Sequence, residues 1–573
     1  MDAPSRPALA AQVCKNCKDR KRRCDKALPK CSLCARSASS APFFSKILGS
    51  LLSRKNLRCD YHHGRTESNT LLSPSSAAAP AAAGDDTLSH SASNSSLALS
   101  TILFLDPALL QHGPLQVELD QHATHIPGHI SAAIGSLEMI RETGDEFFET
   151  IHPWMPIISK ARFYDDYLRD NHHHHKVNVV LLLLAVRLII SNPTQDPRSG
   201  LYDWTKQFYQ RVEGSAAPSI LVLQANIFIA LYELGHGLYP NAYMTIGACA
   251  RYMYVLGIKG TGSRNVSMNP PRPTSMIEVE ERRRAWWAVV ILDRFVNIAA
   301  PTRPFASPEP ELDDLLPIDD EDWDSGIVNA SDLCTVGAPS TTRMSRFSLL
   351  CQAARVLGKV ICFLGRSGPG NVPSNSNDNR NALQEDIERM QLDTTLQAML
   401  TAAMQLDEPD LDTITFIYSA MMALYTPHLA SATSVKTPTS TRRETIRHAP
   451  TRASELIADT TDTILANLID KACLSGRDTG GMSPWRVYFA YRTLGLHMRT
   501  SRETNGPDRP MVSLKRVRMN QSGEPEETTD EVPLEDVVRV MKETFGLVAE
   551  RWRVGGIYLK LLEAQEVLAA AGA

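Results

Sequence analysis

Apolar residues fall into long helical blocks over most of the chain. "SILVLQANIFIALYELG" (219–235) is apolar on nearly every face, which predicts a central buried helix. Ser219 suits its N-cap and Gly235 its end. "VVLLLLAVRLII" (179–190) is a second buried helix; it is too short to span a bilayer and carries Arg187. In "EVEERRRAWWAVVILDRFVNIAA" (278–300), Trp287, Ile291 and Phe295 recur at i, i+4 and i+8 on one face. Acidic residues occupy its first turns, where the helix dipole favours them. Further helical patterns cover 344–365, 381–404, 410–430, 452–472, 484–502 and 534–571. Polar breaks such as "SGPGNVPSNSNDNRN", "TSVKTPTSTRRE" and "NQSGEPEETTDEVP" separate them. No run of alternating strands and no short-period repeat stands out.

The pattern changes toward the N-terminus. Residues 66–114 begin with "SPSSAAAPAAAGDDTLSHSASNSS"-type sequence, a low-complexity linker with little apolar surface to bury. Residues 1–65 are basic and rich in cysteine. The organisation expected is therefore mainly α: a small head at 1–65, a Ser/Ala-rich linker at 66–114, and a large all-helical body at 115–573.

Charge sharpens this division. The whole chain of 573 residues carries a formal net charge of only −4, yet residues 1–65 hold fifteen Lys/Arg against four Asp/Glu. A head at +11 on a body at −15 suggests that the head meets a polyanion. A merely solubilising tail would not hold six of the eleven cysteines. No secretory signal is visible, so the cysteines are expected to be reduced, and a dense cluster of them points to metal rather than disulfides. Cys249, Cys334, Cys351, Cys362 and Cys473 are scattered, and most are expected to act as small core residues.

The head contains "CKNCKDRKRRCDKALPKCSLC" (14–34), spaced Cys-x2-Cys-x6-Cys-x6-Cys-x2-Cys. A Cys-x2-Cys pair clamps one tetrahedral metal ion, and each pair here has a further cysteine near it. Six thiolates cannot supply four private ligands to each of two zinc ions. The deficit closes if two sulfurs bridge both metals, and the surrounding Lys/Arg then offset the cluster's net charge of about −2. A four-cysteine structural zinc site with two spectator cysteines is the plainer alternative.

This stretch resembles the fungal zinc binuclear cluster family of transcription factors, with a cofactor of two zinc ions. The resemblance implies that Cys14 and Cys31 bridge, that Cys17 and Cys24 complete one zinc, and that Cys34 and Cys59 complete the other. It also implies that the helix carrying "KDRKRR" enters the major groove of double-stranded DNA and reads a CGG triplet. Arg20 and Lys21 fall on the guanine-reading positions, and both suit the O6 and N7 acceptors. Lys18, Arg22, Arg23 and Lys26 are expected at phosphates, where they give affinity without sequence information. Pro29, in the loop between the half-sites, also matches. A solvated basic face serving only as a nuclear localisation signal is the bland reading.

The departure is Cys59. Twenty-four residues separate it from Cys34, where the family places the sixth cysteine some six to eight residues after the fifth. Deleting 38–54, "ASSAPFFSKILGSLLSR", leaves "CSLCARSKNLRCDYHHG", with seven residues between the two cysteines. Cys59 is thus read as the sixth ligand behind a seventeen-residue insert. The insert is taken as a retained intron, since seventeen codons keep the frame and its Ser, Phe, Leu and Pro codons are pyrimidine-rich. Otherwise Phe43, Phe44, Ile47, Leu48, Leu51 and Leu52 form a short amphipathic helix beside the cluster.

The body carries a resemblance of its own. "EFFETIHPWMPIISKARFYDDYL" (146–168), "LQANIFIALYELGHG" and "EVEERRRAWWAVVILDRFVNIAAPTRPFASPEPELDDLLPIDDEDWD" (278–324) are similar to the fungal-specific transcription factor regulatory domain, over roughly 130–330 and the helices beyond. The resemblance implies a nuclear regulator of RNA polymerase II genes, such as a metabolic or secondary-metabolite set, with a small-molecule effector and a homodimer as partners to test. "LSTILFLDPALLQHGPL" shows no sustained heptads, so a monomer or a dimer through the body stays open. The alternative function is a regulator impaired in DNA binding that acts through protein contacts. An enzyme is disfavoured: an all-thiolate zinc site leaves no open position for substrate, and no phosphate loop or nucleophile motif occurs.

Four side features have plain readings. Trp154, Phe163, Trp286 and Trp287 are expected in the core, and Arg282–Arg284 in structural ion pairs. "NHHHHK" (171–176) cannot chelate one ion, because consecutive helical residues point in different directions. "EPEETTDEVPLEDV" is either an acidic activation segment or a solvated loop.

Overall fold

The structure is a computed structural model that describes residues 125–168, 176–192, 196–198, 200–215, 218–258, 275–325, 333–338, 344–366, 378–406, 410–434, 481–503, 511–519 and 525–570. The chain divides into two compact units, Met1–Ser93 and Asn94–Ala573, and every described residue belongs to the second.

That unit is built from helices. In chain order they are α1 (Gly128–Ile134), α2 (Leu137–Thr150), α3 (Val177–Ile190), α4 (Leu201–Ser215), α5 (Ile220–Gly235), α6 (Tyr239–Val255), α7 (Met276–Asn297), α8 (Arg346–Arg366), α9 (Asp378–Met404), α10 (Leu411–Ser434) and α11 (Pro484–Glu503). A hairpin of β1 (Met511–Met519) and β2 (Pro525–Pro533) follows, then α12 (Leu534–Ala549) and α13 (Val554–Ala570). Short helical turns at Lys160–Arg162, Phe163–Tyr167 and Asp320–Asp324 lie between the longer helices.

Local chemistry sets the helix ends. Ser136, Ser219 and Ser275 are the N-caps of α2, α5 and α7, accepting from the Met139, Leu221 and Glu278 N–H groups. The start of α5 at Ser219 and its end at Gly235 agree with the sequence. The left-handed residue that turns the chain is Gly237, at φ +72°.

Every residue of α5 is buried. It packs on α3, α4, α6, α7 and α11, which makes it the axis of the N-terminal half. Each large apolar side chain removed from water there contributes about 1.5–3 kcal/mol. A second layer runs α7–α8–α10–α11, with α9 against α8 and α10. α8 is long and apolar enough to cross a membrane, but 78% of its apolar window is buried among the other helices, as in a core helix.

Three expectations change. The single pattern at 534–571 is two helices. They fold back on each other where Gly555 meets α12: a Cβ there would lie 3.0 Å from the Phe545 carbonyl oxygen. A hairpin stands where no strands were expected, and it takes up most of the acidic "EPEETTDEVPLEDV" segment. Its antiparallel register pairs Met511 with Pro533 and Met519 with Pro525. Neither strand alternates cleanly, so period-2 reasoning passes over both. Finally, Cys249 and Cys351 are buried as expected, but Cys334 is half-buried and Cys362 is exposed on α8. The expected helix at 452–472, the histidines 172–175 and Cys473 lie outside the described residues.

Candidate functional site

The residues expected to hold zinc (Cys14, Cys17, Cys24, Cys31, Cys34, Cys59) and DNA (Lys18, Arg20, Lys21, Arg22, Arg23, Lys26) lie outside the described residues, as does 38–54. Among the described residues, no group of three or more His, Cys, Asp or Glu is placed to hold a metal ion. The buried thiols Cys249 and Cys351 are pushed well above the usual thiol range by burial, which makes them poor nucleophiles.

The site that the described residues do build is a charged spine along α7. Glu281 is fully buried; it accepts the Ser159 N–H at 2.9 Å and pairs with Arg162. Burial pushes its carboxyl up to about 7, against the pull of Arg162 and the Ser159 N–H. Burial acts to lower the Arg162 pKa, but Glu281, Tyr167, Glu278 and Asp166 together outweigh it, so the guanidinium is held above its ordinary value and stays charged. One turn earlier, Glu278 accepts from Arg282 at 2.8 Å. Glu280 pairs with Arg283 and accepts from Arg284 Nε at 3.0 Å and from the Ile318 N–H at 3.0 Å.

Arg284 is the knot. Fully buried, it donates to Asp320 Oδ1 at 2.6 Å, to the Ile318 carbonyl at 2.8 Å and to the Pro156 carbonyl at 3.3 Å. The Trp323 ring lies 3.9 Å from its guanidinium carbon. One side chain thus fastens the 156 and 318–323 segments to α7. Arg282–Arg284 are engaged with carboxylates, which agrees with the structural reading and leaves no free phosphate cradle among them.

A second knot sits two and a half turns on. Asp293 Oδ2 accepts from the Ala306 and Ser307 N–H groups at 2.9 and 2.8 Å and from Ser307 Oγ at 2.7 Å. Arg294 donates to Asp293 at 2.9 Å, to Ser307 Oγ at 2.8 Å and to the Pro308 carbonyl at 3.0 Å. Its guanidinium lies 3.9 Å from the Phe305 ring centre. Burial lowers the Arg294 pKa, opposed by Asp293 and Glu309. Gly358 of α8 makes room for it: a Cβ there would lie 2.8 Å from Arg294 Nε. The sequence signal for this pair was an Asp-Arg step inside the otherwise apolar "AVVILDRFVN".

The predicted core aromatics are in the core: Trp154, Phe163, Trp286 and Trp287 are 4%, 0%, 3% and 0% exposed. Trp154 packs edge-on against Trp485 at 5.1 Å, which joins the early segment to α11. Two further links come from the far end of the chain. Arg551 donates to the Ile189 carbonyl at 2.5 Å and to the Ser191 carbonyl at 3.4 Å, closing the end of α3. Tyr558 and Tyr239 hydroxyls meet at 2.6 Å.

Comparison with known proteins places this body. Residues 145–426 match the model of the fungal specific transcription factor domain. Over 151 residues the chain is 34% identical to Transcription factor BOA15 of Botryotinia fuckeliana, covering 26% of this chain and 82% of that protein. It is 24% identical to Transcription factor tazR of Aspergillus terreus over 162 residues, which span 24% of that protein. It is 23% identical to the Citrinin biosynthesis transcriptional activator mrl3 of Monascus ruber over 353 residues, 56% of this chain and 67% of that protein. No solved structure matches.

Proposed function

Because the chain belongs to the fungal specific transcription factor domain family, we propose that it is a zinc-dependent, sequence-specific DNA-binding regulator of RNA polymerase II genes, working in the nucleus. The observation that carries this reading is the cysteine spacing of 14–34, with "KDRKRR" between the second and third cysteines, on a chain whose body is of this family. Six cysteines are a donor set that suits zinc, which would hold the head in shape as a closed structural centre. Cys14, Cys17, Cys24, Cys31, Cys34 and Cys59 would supply the ligands. Arg20 and Lys21 would read guanines of a CGG triplet, and Lys18, Arg22, Arg23 and Lys26 would hold phosphates. Several relatives are named as transcriptional activators of pigment, depudecin or citrinin biosynthesis, which supports a secondary-metabolite gene set as the target.

The test is zinc content together with binding to labelled duplexes. Two zinc ions per chain and tighter binding to CGG-containing DNA than to its scramble are expected. The displaced Cys59 favours one other reading: a second zinc site that fails, leaving a regulator that acts through protein contacts. One zinc per chain and only salt-sensitive, non-specific binding would establish that reading instead.

A further inference from the structure

The geometry points to a binding site for a small carboxylate, one that also carries a neighbouring hydrogen-bond donor, in the cleft between α10, α11 and α13. This extends the regulatory reading of the body and rests on it only for its biological meaning. The cleft is a shallow one whose enclosed space is only about 20 Å³, so it takes the polar head of a small ligand and leaves the rest of that ligand in the open mouth.

Four features converge on it. Arg492 lines the cleft, and its one hydrogen bond among the described residues is a long one, from Nη2 to Thr426 Oγ1 at 3.5 Å. No carboxylate pairs with it among the described residues, whereas Arg162, Arg282, Arg283, Arg284 and Arg294 each have one. A half-buried guanidinium without an anion is a vacant partner for one.

In the same cleft, Gln565 donates through Nε2 to the Tyr491 hydroxyl at 3.2 Å, but its Oε1 is buried without a partner. A buried acceptor left unmade is costly, so a donor is wanted at that spot. The Tyr491 ring is held by stacking on Tyr558 at 4.6 Å, which fixes the hydroxyl that holds the Gln565 amide.

The cleft wall is also kept open by glycine. Gly495 lies inside α11, where glycine costs about 0.5–1 kcal/mol relative to alanine. A Cβ at 495 would come within 3.1 Å of Gln565 Oε1, crowding the amide whose oxygen is unpaired. The cation, the unpaired acceptor and the glycine together describe a ligand with an anionic head for Arg492 and an adjacent O–H or N–H for Gln565.

Ligand-observed NMR on the full-length protein without DNA tests this, with glycolate, acetate and methyl glycolate as probes. Saturable binding of glycolate is expected, roughly five-fold weaker binding of acetate, which lacks the donor, and none of methyl glycolate, which lacks the charge. Arg492→Gln should weaken glycolate at least about ten-fold while leaving the unliganded melting temperature close to wild type. Gln565→Leu should bring glycolate down to the level of acetate. No glycolate signal, or equal binding of the ester, or an unchanged affinity in Arg492→Gln, would overturn the site. Because the readout contains no DNA, a failed CGG assay leaves this result standing, and the reverse also holds.

Discussion

Trp552 occupies the space that a side chain at Gly235 would need: a Cβ at 235 would overlap its ring atoms Cε3 and Cζ3. The indole is fully buried, donates to the Met482 carbonyl at 2.6 Å and meets the His236 ring at 5.9 Å. The turn after the central helix is thus a socket for a residue more than three hundred positions later. Gly235→Ala should lower stability by about 2 kcal/mol or more, since neither helix nor indole has room to move. Trp552→Ala should cost about 3–5 kcal/mol through the cavity it leaves. Urea unfolding followed by circular dichroism checks both. A near-neutral Gly235→Ala would show that the socket yields.

Breaking the Arg284 knot should be as damaging. Arg284→Met leaves Glu280 buried with one ion-pair partner fewer, at a cost of about 3–5 kcal/mol. Replacing Arg284 and Glu280 together should recover part of that loss. A double-mutant cycle in urea measures the coupling, and strict additivity would contradict the role given to the pair.

Glu281 makes a pH prediction. Its folded pKa is raised to about 7, from an ordinary value near 4.5, so the folded state holds the proton more tightly. Stability from this group is therefore fully present below about pH 4.5 and is lost as pH rises toward 7, by up to about 3 kcal/mol. Glu281→Gln should flatten that part of the stability curve. Denaturant midpoints across the window, for wild type and variant, test it.

His236 acts at the opposite end. Burial lowers its pKa to about 4, opposed by the hydrogen bond to the Tyr232 carbonyl. Its neutral form is required by the fold, so stability falls as pH drops from about 6.5 toward 4. His236→Phe keeps a ring between Tyr232 and Trp552 and should remove that loss, read as a higher melting temperature near pH 5 relative to wild type than at pH 8.

The head has its own test. Lys21→Ala should cost about 1–3 kcal/mol on a CGG duplex and relax the preference at that base, while Lys18→Ala should weaken all duplexes alike and lower the salt slope by about one. Fluorescence anisotropy at several salt concentrations separates the two. Unchanged CGG preference in Lys21→Ala would remove Lys21 from the reading helix.

The helices were legible because their apolar residues recur at helical spacing, and at Ser219 a serine cap sits where the pattern starts; the Ser275 cap lies three residues before the start read for its helix at Glu278. The break between α12 and α13 was not legible, since Val554 and Leu559 continue the same apolar rhythm and only the close approach at Gly555 demands a fold-back. The hairpin escaped because its strands lack an alternating face. The ion pairs of Arg282–Arg284 were foreseen, yet the Asp293–Arg294 knot was not: its partners, Ala306 to Pro308, come from a loop whose return no periodicity reveals. The Arg492 cleft is assembled from three helices, with Thr426 and Arg492 66 positions apart and Tyr491 and Gln565 74 apart, so only the fold brings it together.

The bond from Arg551 to the end of α3 spans 362 residues. At the usual 5–20 residues per second of synthesis, the Ile189 carbonyl waits roughly 20–70 seconds for its partner to be made. During that interval α3 and the socket at Gly235 stand uncovered, so the body reaches its final packing only once the last helices have been made. A nascent chain stalled before Trp552 would be a client for chaperones rather than a shorter regulator.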